Sequence, residues 1–71
     1  MNAEKRRRRT RRAELLRAQT QLREIRDGLD RAYLCFNRSS DPELTDACIY
    51  EINALRARYD HVLRHIKAIQ A

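Results

Sequence analysis

The chain has 71 residues, 37% of them charged, with one Gly, one Pro, no Trp and a formal net charge of +6. That length allows one small domain with a barely sufficient core of its own, and the composition is that of long, solvated helices. No apolar run approaches the ~18 residues of a membrane span, and the basic start is followed by no apolar segment and cleavage site, so it does not read as a secretory signal.

The charge is concentrated at one end. Residues 1–12 hold Lys5, Arg6, Arg7, Arg8, Arg9, Arg11 and Arg12 against the single acid Glu4, a net charge of +6. The other 59 residues carry nine basic and nine acidic side chains and sum to zero. Residues 1–12 lack apolar periodicity, and their like charges repel, which predicts a basic arm that is flexible when free, with joining the first helix on binding as the alternative state.

An amphipathic pattern starts at Ala13. Leu15, Ala18, Leu22, Ile25, Leu29, Ala32 and Phe36 recur at steps of three and four, the spacing of a heptad seam. This predicts a first helix over about residues 13–37. Gly28 interrupts good helix formers beside the seam; close approach of a neighbouring helix and plain tolerance both explain it. Asn37 suits the left-handed turn that ends a helix. Residues 38–41 then form a loop. Asp41 suits the N-cap of a second helix, Pro42 its first position and Glu43 its positive end. A capping box from Ser40 to Glu43 is the alternative, disfavoured because Pro42 keeps Asp41 out of helical geometry.

The second helix is predicted over about residues 42–70, with a stripe of Cys48, Ile52, Leu55, Tyr59, Val62, Ile66 and Ile69. Extending the first register across Pro42 would place core positions two residues out of step with this stripe. A continuous coiled coil does not readily absorb that offset. Folding back at Pro42 instead pairs the stripes in seven layers, from Leu15 with Ile69 to Phe36 with Cys48. The fold class expected is therefore an all-α, antiparallel two-helix hairpin, resembling a coiled coil.

Beside the seam lie Leu16, Tyr33, Leu34, Ile49, Tyr50 and Leu63, mostly on one flank of the wheel. They either broaden the core or form a protein interface, and two hairpins packed through that flank would make a homodimeric four-helix bundle. Arg26 and Arg56 face each other on the same flank, which either breaks the patch or awaits an acidic partner. Cys35 and Cys48 flank the bend; a cytosolic setting favours reduced thiols, and a disulfide near the bend is the alternative if their Cα atoms come within about 7 Å. His61 and His65 share a helix face but have no further ligand nearby in sequence, so no metal site is expected. Asp27–Arg31 and Asp60–Arg64 read as solvated i,i+4 pairs.

No nucleophile motif and no phosphate-binding glycine loop occurs. The chain is read as a non-enzyme without cofactor or small-molecule substrate. The arginine run is the functional signal, because arginine forks suit phosphate. Nucleic acid or ribonucleoprotein is the first expected partner of residues 5–9, 11 and 12. An acidic protein is another, and a role in solubility alone remains open. A membrane surface is disfavoured because the run lacks an apolar face. The alternative function is a protein-interaction module acting through the apolar flank.

The segments Asp41-Pro42-Glu43-Leu44, Ile49-Tyr50-Glu51-Ile52-Asn53 and Arg58-Tyr59-Asp60-His61-Val62-Leu63-Arg64 resemble the YaaL-like family of small bacterial proteins, a domain of unknown function. The resemblance covers about residues 22–67. It implies a bacterial, cytoplasmic helical protein and carries over no catalytic or binding residue. Some members are encoded near recombination-repair genes, which implies a nucleic-acid setting. The arginine arm is heavier than the family pattern.

Overall fold

The computed structural model describes residues 2–71. Helix α1 runs Ala3–Arg38 and helix α2 runs Pro42–Gln70, and the two pack against each other as an antiparallel hairpin. The molecule is a rod of 59 × 15 × 13 Å.

Helix α1 starts ten residues earlier than Ala13, where the apolar pattern begins. The basic segment is thus part of α1, the joined form of the arm, and the helix start expected near Ala13 moves to Ala3. Adding residues to an existing helix carries no nucleation cost, and Arg, Lys and Ala are good helix formers. Asn2 closes the end: its side chain accepts a hydrogen bond from the Lys5 N–H at 2.8 Å.

The far end of α1 also departs from expectation. Asn37 stays helical, and no described residue has a positive φ. The helix stops at Arg38 because Ser39 turns extended (φ −74°, ψ 136°) while its N–H still donates to the Cys35 carbonyl at 3.0 Å. The Ser39 hydroxyl then accepts from the Asp41 N–H at 3.2 Å and donates to the Asp41 carbonyl at 3.1 Å, which holds the three-residue turn. The start of α2 is as the sequence predicts. Asp41 is the N-cap, its carboxylate accepts from the Glu43 N–H at 3.0 Å, and Pro42 opens the helix.

The seam follows the predicted stripes except at its loop end. Ala18, Ala32, Cys48, Ile52, Val62 and Ile66 are buried, and Leu15, Leu22, Ile25, Leu29, Leu55, Tyr59 and Ile69 are half-buried. Phe36, in contrast, is 39% exposed. The inward position there is Cys35, whose Cα lies 6.3 Å from that of Cys48, and the structure pairs the two as a disulfide. The layer of Phe36 on Cys48 is corrected, and of the two thiol readings the structure takes the alternative, the pairing of Cys35 with Cys48. On the helix wheel Cys35 and Phe36 lie about 100° apart on opposite sides of buried Ala32, and at the loop end the side turned to α2 is the one that carries Cys35. Gly28, seven residues earlier on the same side, also faces α2: an added Cβ there would meet the Leu55 methyls at 3.3 and 3.5 Å. Close approach of α2 is thus present at that glycine, and a side chain there would have to displace the Leu55 methyls by a few tenths of an ångström.

No polar side chain among the described residues is buried. The core is a single apolar seam, and its stability rests on few large groups. Ile52→Ala is expected to cost about 2–5 kcal/mol in urea unfolding, and Phe36→Ala clearly less, because its ring is part-exposed. Asp41→Ala is expected to cost about 1 kcal/mol through loss of the cap. Mass spectrometry of the chain purified without reductant is expected to find the two thiols oxidised to one intramolecular bond.

Candidate functional site

The seven cations of the basic segment stand on one uninterrupted stretch of helix. Residues 2–12 are all exposed. In sequence the first seam residue is Leu15, so this stretch projects beyond the layers that hold the hairpin together. At 100° per residue, Lys5, Arg6, Arg7, Arg8, Arg9, Arg11 and Arg12 point in nearly every direction around the axis. The segment is a cationic rod rather than a helix with one charged stripe.

Its charge density is high. Residues 5–12 rise about 12 Å, which gives roughly one cation per 1.7 Å of axis. Duplex DNA carries one phosphate charge per ~1.7 Å. The two linear densities match in magnitude and are opposite in sign.

Holding such a rod together in water is unfavourable. Like charges meet at i,i+4 in Lys5–Arg9, Arg7–Arg11 and Arg8–Arg12, and at i,i+3 in four further pairs, each costing about 0.2–0.5 kcal/mol. They also crowd the positive end of the helix dipole. The described residues offset this with one ion pair, Glu4 to Arg8 at 3.9 Å, and with the Asn2 cap. Thr10 turns its hydroxyl back to the Arg6 carbonyl at 3.0 Å, and Glu4–Arg8 is the one ion pair these guanidinium groups make among the described residues. Anions that approach this segment remove repulsion and so favour the helix.

The second set of predicted site residues is not gathered into one stripe. Leu16, Tyr33, Leu34, Ile49 and Tyr50 are exposed, whereas Leu63 is half-buried. Tyr50 stands two positions from both Cys48 and Ile52, hence on the outward side of α2, and is 73% exposed. Leu34 stands likewise opposite Ala32 on α1. Phe36 and Leu44 are exposed as well and were not anticipated. The heptad count puts Phe36 in the seam, and Leu44 precedes the first seam residue of α2. Six of the seven exposed large apolar side chains therefore lie between residues 33 and 50, at the loop end of the rod.

On the flank between, Arg26 packs against Tyr59. Its guanidinium reaches the Tyr59 hydroxyl at 3.4 Å and lies 5.8 Å from the ring centroid, a cation–π contact. His61 and His65 are exposed, and no group of three or more metal-ligating side chains occurs among the described residues. No described helix is long and apolar enough to cross a membrane. Comparison with family models, with curated proteins and with solved structures finds no match for the chain.

The repulsion within the basic helix has a measurable consequence. Raising phosphate or adding a polyphosphate is expected to increase the helical circular-dichroism signal at 222 nm. Replacing Arg7, Arg9 and Arg11 with Gln is expected to raise the signal without added anion and to reduce the response to it.

Proposed function

We propose that this chain is a small non-enzymatic binding protein whose basic helix contacts nucleic acid, free or in a ribonucleoprotein. The observation that carries the reading is the exposed run of seven cations at about one per 1.7 Å, the spacing of duplex phosphate charge. An α-helix fits the major groove of B-DNA, and basic regions of dimeric DNA-binding proteins are continuous helices of this kind. The segment has no aromatic side chain to stack on bases, so phosphate contact without sequence preference is the mode it suits. Arginine forks supply bidentate phosphate bonds. The likeness to the YaaL-like proteins, and with it a bacterial cytoplasmic setting, is part of the same proposal.

Fluorescence anisotropy with duplex DNA and duplex RNA, titrated between about 50 and 200 mM salt, tests this reading. Six neutralised phosphates give a log–log slope of about −5, and Gln at Arg7, Arg8 and Arg11 brings the slope nearer zero by about 3. Absence of binding at the lowest salt sinks the proposal, as does a slope that the substitutions leave unchanged. Tighter binding to anionic vesicles than to either duplex would assign the helix to a lipid surface instead.

A further inference from the structure

We infer that two copies of this chain associate side by side and antiparallel, each laying its basic helix along the loop end of the other. The inference does not rest on nucleic-acid binding; it follows from how charge and apolar surface are distributed along the rod.

One end carries +6 within residues 1–12. The loop end has the opposite sign. Between residues 30 and 53 stand Asp30, Asp41, Glu43, Asp46 and Glu51 against Arg31 and Arg38, a net charge of −3. All five carboxylates are exposed. The same third of the rod holds six of the seven exposed large apolar side chains, among them the aromatics Tyr33, Phe36 and Tyr50. Guanidinium groups bind both kinds of surface, carboxylates through forked hydrogen bonds and aromatic faces through cation–π contact. The molecule already makes the latter contact internally, between Arg26 and Tyr59.

The lengths agree. A two-fold axis through the middle of the rod brings residues 3–12 of one copy beside roughly residues 31–40 and 44–53 of the other. That is the acidic, aromatic third. The arrangement is reciprocal, so it closes as a dimer and leaves no free end for a third copy. A parallel dimer would set +6 against +6 and −3 against −3. Charge thus selects the antiparallel arrangement. Because the cations surround their helix, contact with a partner covers one side and leaves others exposed.

The test is the mass of the full chain by sedimentation velocity at low salt over a broad concentration range, without nucleic acid. Its failure therefore leaves the nucleic-acid reading standing, and the reverse holds too. Two charge-reversed variants accompany the natural chain. In one, Arg7, Arg9, Arg11 and Arg12 become Glu. In the other, Asp30, Asp46 and Glu51 become Lys. The natural chain is expected at twice its 8.5 kDa, returning towards single-chain mass as salt rises. Each variant alone is expected at single-chain mass, and an equimolar mixture of the two at the mass of a pair. Circular dichroism of each variant checks that it is helical. A version of the first variant with Gln in place of Glu, which introduces no repulsion, is expected to weaken association rather than abolish it. The inference is overturned by a natural chain that stays single, by variants that pair alone as well as the natural chain does, or by a series of masses beyond two.

Discussion

A helix with a single apolar stripe must bury that stripe against something, and here the partner helix is reached through residues 39–41. The chain turns back within three residues because Ser39 and Asp41 are extended and the Ser39 hydroxyl bridges the Asp41 backbone. Pro42 then fixes where α2 begins and hence which of its faces meets α1. Small residues at Ala18, Gly28, Ala32 and Cys48 let the helices approach closely. The resulting core is narrow, wholly apolar among the described residues, and fully used in holding the hairpin. Whatever else the molecule does falls to side chains outside the seam.

Those side chains are sorted along the rod rather than around it. Cations occupy the start of α1, and carboxylates and exposed aromatics occupy the turn. A helix dense in arginine at its own positive end is in tension with itself. Neighbouring guanidinium groups repel, and one carboxylate is too few to balance them. Contact with an anionic surface relieves that tension, be it a phosphate backbone or the acidic end of a second copy. The proposed binding function and the proposed dimer are two uses of one electrostatic imbalance.

Much of the fold is legible in the sequence, and the exceptions have physical causes. The bounds of α2 can be read because Asp41, Pro42 and Glu43 each favour the same start, and thirteen of the fourteen stripe positions turn inward because heptad spacing constrains them. The start of α1 cannot be read from apolar periodicity, since residues 3–12 have none; propagation from the packed part of the helix and the Asn2 cap decide it. At the loop end, a heptad count carried to Phe36 does not register which side of Ala32 meets α2; that side carries Cys35, and Phe36 turns out. The cationic site is legible as composition. Its form, a helix with charge on every side, is a property of the structure.

The central claim is that the basic segment is a helical continuation of α1, presenting its cations at fixed spacing instead of as a loose arm. Carbon-13 Cα chemical shifts of residues 3–12, measured on the free chain at low salt, test it most directly. The account predicts downfield, helical shifts continuous with those of residues 13–38 and strongest from Arg8 onward. Random-coil shifts up to Arg12, with helix appearing only at Ala13, would contradict it.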